Sequence, residues 1–272
     1  MKPALFLALA ALLGLSDFAV GALALAWLGS IQLLNRAVPR GPIHWLHAMT
    51  FEPLALLGVA ALRLIPTRQT VSGASQPILL VHGYMNHSSI WTIQKKRLEA
   101  LGFGPIYTIN FGHPFRSMGH YADKLKAKAE AIAQATGRSD LILIGFSMGG
   151  LVSAHYATQL APPNTVTDII TIGTPFAGTP MAHIGLGPNA REMEPHSSFL
   201  QQLQRAMAQN KQIRFFHIAT KTDQIVIPGQ SAALANNQHL ILEDIGHASM
   251  LYSRRVTEQM CQWLKSPFML RI

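Results

Sequence analysis

From Pro77 onward, short apolar runs alternate with stretches of helical periodicity. Pro77–Val81 (PILLV) predicts a buried strand, and Ser89–Leu101 predicts a helix with Ser88 or Ser89 as its cap. Ile106–Asn110 reads as a second strand, and Met118–Ala135 as an amphipathic helix. Leu141–Gly145 is a third strand, leading into a helix over Ser147–Leu160. Asp168–Ile172, Ile213–Ala219 and His239–Leu242 supply three more strands, and Gly246–Lys265 carries the last helix. The first runs are continuously apolar instead of alternating, so both faces of the sheet must be covered. Strand–helix alternation of this kind predicts an α/β fold, a mostly parallel sheet with helices on both faces.

The chain before Pro77 has a different pattern. Ala4–Leu15 is apolar, Ser16-Asp17 interrupts, and Phe18–Leu34 is apolar again, with Lys2 ahead and Arg36 and Arg40 behind. Lys2, the short apolar core and Ala22-Leu23-Ala24 resemble a cleavable signal. The apolar character continues well past that point, however, and a helix over Ala4–Leu34 exceeds the roughly 20 residues that span a bilayer. A retained anchor is the favoured expectation. Pro53–Pro66 is a second apolar stretch that contains Arg63, expected to end a second membrane helix begun near Trp45 or to lie along the interface. Thr67–Gln76 (TRQTVSGASQ) is a polar linker. The expected division is an N-terminal hydrophobic membrane-anchoring region with linker over 1–72 and a catalytic domain over 73–272.

Composition strengthens the membrane expectation. Of 272 residues, 49% are hydrophobic and only 13% charged, against about 25% charged in an average soluble domain. The net charge of +9 suits a face near anionic headgroups. No Lys/Arg stripe with interleaved aromatics is present, so nucleic acid is not an expected partner. Lys124, Lys126 and Lys128 read as the solvated face of a helix. The single cysteine, Cys261, excludes an intramolecular disulfide and a cysteine-built zinc site. His44 and His47 stand near Glu52 (HWLHAMTFE) without the H-E-x-x-H spacing, and the two histidines are read as interfacial residues at the membrane edge. No metal or cofactor is called for.

The chemistry concentrates at Gly145-Phe146-Ser147-Met148-Gly149-Gly150, between an apolar strand and a helix. This is G-x-S-x-G in the strand–turn–helix context that gives it meaning. The turn forces Ser147 into a strained backbone conformation, and glycine at 145 and 149 removes collisions around it. Just after the first strand stands Val81-His82-Gly83-Tyr84. Acyl transfer needs two N–H donors for the tetrahedral oxyanion. The backbone of Tyr84 supplies one and that of Met148 the other. His82 is read as a turn residue with a structural hydrogen bond.

LLVHGY…W, GFSMGG and Thr171–Thr179 (TIGTPFAGT) together resemble the α/β-hydrolase superfamily, and within it bacterial triacylglycerol lipases and esterases. Arg191–Leu200 (REMEPHSSFL) is similar to a segment those lipases carry. The resemblance covers residues from about 75 to about 255. It implies an α/β-hydrolase fold preceded here by the N-terminal hydrophobic helices, and a triad in the chain order Ser, acid, His. Asp223, just past the fifth strand, and His247, just past the sixth, match those positions. The other histidines after Ser147 fit less well. His155 lies on the helix behind the nucleophile, His217 and His239 lie in strands, and His183 and His196 lie in the long connection. Asp244, three residues from His247, is the reserve acid, and Glu243 ranks below it.

That connection, about 176–211, is long for a compact domain and is expected to act as a cap over the acyl site. Its Phe199, Leu200, Leu203 and Met207 also have the spacing of a packed helix. The function expected is a membrane-associated serine hydrolase of carboxylic esters, with lipid esters and the bilayer as partners and a bacterial inner membrane as the expected location. An acyltransferase or thioesterase on the same fold is the alternative within catalysis. A non-catalytic membrane scaffold, or a membrane component acting through its first 70 residues, is the alternative outside it.

Overall fold

The computed structural model describes residues 52–55, 57–59, 75–234 and 237–266. Six strands form one sheet: β1 (Ile78–Val81), β2 (Ile106–Ile109), β3 (Leu141–Phe146), β4 (Val166–Ile172), β5 (Arg214–Thr220) and β6 (Gln238–Leu242). Their order is β2-β1-β3-β4-β5-β6, and every pairing is parallel. The helices are α1 (Thr92–Ala100), α2 (Met118–Thr136), α3 (Met148–Gln159), α4 (Pro188–Glu192), α5 (Ser198–Gln209) and α6 (Arg254–Lys265). The expected α/β architecture is therefore present. Two expected helices are shorter and begin differently. Ser88–Trp91 and Ala248–Leu251 are tight 3-10 turns that precede α1 and α6.

β1 and β3 bury both faces, which is why their sequences are continuously apolar, while β4 and β5 also bury the polar Asp168, Thr171 and His217. On β1, Leu79 and Val81 join the core beneath α2, α3 and α5, with Tyr121, Leu125, Leu151 and Leu203. Ile78 and Leu80 join the opposite core, with Trp91, Leu98, Val256, Met260 and Trp263 from the α1 and α6 side. β2 and β6 are the edge strands, and of the two β6 is the less buried. Ser117 caps α2 by accepting from the His120 N–H, and Gly137 closes that helix in the left-handed region at φ 68°.

The chain runs from β1 to one edge through β2, then crosses back to place β3 on the other side of β1. That reversal makes β1 and β3 the switch point, where ligands of open parallel sheets bind beyond the strands' carboxyl ends. His82-Gly83, Ser147, Gly173, Asp223 and His247 all follow the C-terminal ends of their strands.

The expected membrane segment Ala4–Leu34, residues 67–74 of the expected linker, and His44 and His47 lie outside the described residues. Among the described residues no helix is long and apolar enough to cross a membrane. Residues 52–55 and 57–59 are helical. Glu52 and Ala55 are buried against the α/β domain, and Val59 packs on its core. The buried side of this part of the second apolar stretch thus packs on protein, while Leu57 on the same segment is exposed.

Candidate active site

Ser147 sits between β3 and α3 at φ 53° and ψ −126°, a conformation costly for any residue with a Cβ. Its surroundings hold it there. The Ser147 N–H donates to the Ile172 carbonyl at 2.8 Å, and the Thr174 hydroxyl donates to the Ser147 carbonyl at 3.0 Å. The flanking glycines are steric necessities, though for contacts the sequence does not reveal. A Cβ on Gly145 would lie 2.5 Å from Gly150 Cα, and one on Gly149 would strike the Val81 carbonyl oxygen. The elbow is thus wedged against the end of β1. The His82-Gly83 turn comes equally close, since a Cβ on Gly83 would stand 3.0 Å from Ser147 Cβ. Tyr84 and Met148, the expected backbone donors, therefore flank the nucleophile from β1 and from α3.

His82 is structural, as its position suggested. Its Nε2 accepts from the Phe111 N–H at 3.3 Å, which leaves Nδ1 to donate to the Gly83 carbonyl at 2.9 Å. The Tyr84 phenol has a role the sequence did not disclose. It accepts from the Leu186 N–H at 2.7 Å and donates to the Leu186 carbonyl at 2.8 Å, tying the connection after β4 to the turn after β1.

Asp223 and His247 meet across the ends of β5 and β6. His247 Nδ1 donates to Asp223 Oδ2 at 2.8 Å. The other carboxylate oxygen accepts from the Ile225 and Val226 N–H groups at 2.8 and 2.7 Å. This fixes both the carboxylate and the imidazole tautomer, with Nε2 free to take a proton. The imidazole packs against Phe146, the residue before Ser147, with ring centroids 4.8 Å apart. It also lies over Gly173, where a Cβ would fall 2.9 Å from His247 Cε1. Burial pulls the His247 pKa down, but the Asp223 charge and hydrogen bond, with the Glu52 charge, outweigh it and hold the value above 6.5.

The remaining candidates are engaged elsewhere. Both oxygens of Asp244 accept from Arg255 on α6 at 2.8 Å, so it serves the last helix. Glu243 pairs with Lys221 at the surface. His217 is buried in β5 between the Thr171 hydroxyl and the Asn237 amide, and burial lowers its pKa to about 3. It is therefore a neutral core residue. His155 packs on Phe199, and His183 stands 3.6 Å from Glu194 within the connection.

The connection itself has two parts. α5 buries Leu200, Leu203 and Met207 against the domain, as the helical spacing implied. The part before it, a 3-10 turn at Pro180–Ile184 and then α4, leaves Met181, Ile184 and Leu186 exposed. Met85, Ile225 and Ile227 are exposed beside them. These two groups are joined, because the Thr179 hydroxyl donates to the Ile225 carbonyl at 2.5 Å. Ser147, Asp223 and His247 are themselves buried, only 8%, 8% and 5% exposed.

Residues 78–257 match the Alpha/beta hydrolase family. The chain belongs to that family. Its likeness to characterised hydrolases is more local. It is 29% identical over 160 residues to a triacylglycerol lipase of Burkholderia plantarii, covering 56% of this chain and 44% of that one. It is 30% identical over 122 residues to a triacylglycerol lipase of Pseudarthrobacter phenanthrenivorans, covering 42% of this chain and 37% of that one. The matched stretch is thus less than half the length of either relative. Among solved structures, the mature form of a Bacillus licheniformis lipase superposes with a TM-score of 0.61 at 19% identity, over 73% of this chain and 95% of that one. That likeness is one of fold. Among the described residues, no cluster of His, Cys, Asp and Glu is arranged to hold a metal ion.

Sequence reasoning missed one residue of the site's surroundings. Glu52 is buried beside the His247 loop and hydrogen-bonded to it. The available signal was a lone carboxylate in an apolar stretch, a charge that folding buries only with partners.

Proposed function

We propose that this chain is a serine hydrolase of carboxylic esters, acting on lipid esters through Ser147, His247 and Asp223. The observation that carries the reading is the Asp223–His247 hydrogen bond, set against Phe146 beside a nucleophile elbow whose strain the Gly83, Gly145 and Gly149 contacts enforce. Ser147 Oγ attacks the ester carbonyl carbon while His247 Nε2 takes its proton, and Asp223 stabilises the resulting imidazolium. The Tyr84 and Met148 N–H groups receive the developing oxyanion. Collapse of the tetrahedral species expels the alcohol, which takes the proton from His247. Water, deprotonated by the same imidazole, then attacks the acyl-enzyme, releases the carboxylic acid and restores Ser147.

Two features support lipid esters over small soluble ones. Six large apolar side chains are exposed on the segments that follow β1, β4 and β5, with His183 exposed among them: Met85, Met181, Ile184, Leu186, Ile225 and Ile227. Such an apolar set suits an acyl chain or a lipid surface. The stretch Ala4–Leu34 supports placing the enzyme at a membrane, which we assign to residues 1–72 as the anchoring region of a bacterial inner-membrane protein. Hydrolysis of p-nitrophenyl esters from C2 to C16 by the full chain tests the substrate class. Rates should rise from C2 toward longer acyl chains. A profile highest at C2 and negligible beyond C6 would contradict the lipid reading and leave a short-chain esterase.

A further inference from the structure

Glu52 comes from the far end of the chain, 196 residues before its first partner. Its carboxylate is buried at 6% exposure and has three donors, all just after His247. Oε1 accepts from the Ala248 N–H at 2.5 Å, and Oε2 accepts from the Ser249 N–H at 3.1 Å and the Ser249 hydroxyl at 2.9 Å. One turn later, the Ala55 carbonyl accepts from the Tyr252 phenol at 3.1 Å. The His247 loop is shaped to admit this carboxylate. A Cβ on Gly246 would collide with Glu52 Oε2 and lie 2.6 Å from its Cδ. Upstream, the Ile245 carbonyl accepts from the Thr220 and Thr222 hydroxyls at 2.6 and 2.8 Å. The five-residue loop 245–249 is thus held on one side from β5 and its following turn, and on the other by Glu52.

We propose that Glu52 is a positioning residue for His247, fixing residues 247–249 so that the imidazole stays between Asp223 and Ser147. This rests on the reading of His247 as the base for Ser147. Asp223 sets the tautomer and Phe146 and Gly173 pack on the ring, but these contacts leave the backbone that carries it free to shift. Anchoring the two following peptide groups removes that freedom. Because Glu52 lies on the segment leading from the N-terminal hydrophobic region, the site is complete only when that segment is docked.

The charges around this cluster are known. Asp223 and Glu52 face His247, while His247 and the Tyr252 phenol face Glu52. Burial pushes the Glu52 carboxyl up, and its backbone and Ser249 donors together with His247 pull it down. Burial also pushes the Tyr252 phenol up, so it remains a neutral donor. The charge of Glu52 raises the pKa of His247. A base must be neutral to accept the Ser147 proton, so removing that charge moves the acid limb of activity to lower pH.

The test uses the full chain in detergent, with Glu52→Gln, Glu52→Asp and Ser147→Ala beside the wild type. The rate of fluorophosphonate labelling and kcat/KM on a p-nitrophenyl ester are measured across pH, and folding is checked by thermal unfolding. Glu52→Gln keeps the shape and loses the charge. It should label about tenfold to a hundredfold more slowly, as expected for a misplaced catalytic group, with its acid limb shifted down. Glu52→Asp should restore the limb toward wild type while its maximal rate stays reduced. A wild-type rate in Glu52→Gln, or a reduced rate with an unmoved limb, would overturn the proposal. If Glu52→Gln does not fold, a wild-type labelling rate in Glu52→Asp overturns it. Full activity in Ser147→Ala, or none in the wild type, overturns the underlying reading of the site and this proposal with it. Loss of activity in Ser147→Ala alongside an unaffected Glu52→Gln overturns the Glu52 role alone.

Discussion

At the scale of single residues, the choice between carboxylates is decided by space and not by sequence distance. Asp244 lies three positions from His247, yet both its oxygens face Arg255. Asp223 lies 24 positions away and holds the imidazole. Asp223→Asn should therefore lower kcat by about 10⁴-fold, because the wrong imidazole tautomer is then favoured. Asp244→Asn should lower the unfolding temperature through loss of the Arg255 pair and leave kcat within the same order of magnitude. Steady-state kinetics beside thermal melts of both variants check this, and the reverse ranking would reassign the acid. The pH dependence follows from the same residues. His247 is held above 6.5 by Asp223 and Glu52 against the pull of burial. Only its neutral form accepts the Ser147 proton, so kcat/KM should rise with pH through a limb above 6.5. A pH–rate profile with its acid limb at or below that value would contradict the assigned electrostatics.

Among the elements, the connection after β4 joins a fixed part to an adjustable one. α5 is packed into the core, so it cannot move without exposing Leu200, Leu203 and Met207. The turn at Pro180–Ile184 and residues up to 187 bury little, and Tyr84 grips them through Leu186. Tyr84→Phe keeps the backbone N–H expected to stabilise the oxyanion and removes both phenol contacts. At about 1 kcal/mol for each hydrogen bond, opening of this segment should become roughly tenfold or more easier. Long-chain esters should gain relative to short ones. Relative rates across C2 to C16 equal to wild type would show that this segment does not gate the acyl site. How much of the elements was legible follows from the same physics. Strands buried on both faces are largely apolar, so β1 and β3 stand out in the sequence. The 3-10 turns at Ser88–Trp91 and Ala248–Leu251 were merged into helices, because three- and four-residue periodicities differ little over one turn.

The whole molecule is a parallel sheet whose carboxyl ends gather, at the switch between β1 and β3, groups spread from His82 to His247. Ser147 was legible because its elbow imposes glycine at fixed neighbouring positions. His247 and Asp223 were legible through the resemblance that sets their chain order. Glu52 was not, since its partners lie 196 or more residues away and nothing local marks a carboxylate that meets them. Its position also means that the region ahead of the linker contributes to the packing of the α/β domain as well as preceding it in sequence. The central claim is that Ser147 is an activated nucleophile. Incubating the full chain with a fluorophosphonate and mapping the adduct by peptide mass spectrometry tests it most directly. The account predicts a single adduct on the peptide bearing Ser147, abolished together with ester hydrolysis in Ser147→Ala. A folded wild-type chain with no adduct, or an adduct and turnover that survive Ser147→Ala, would contradict it.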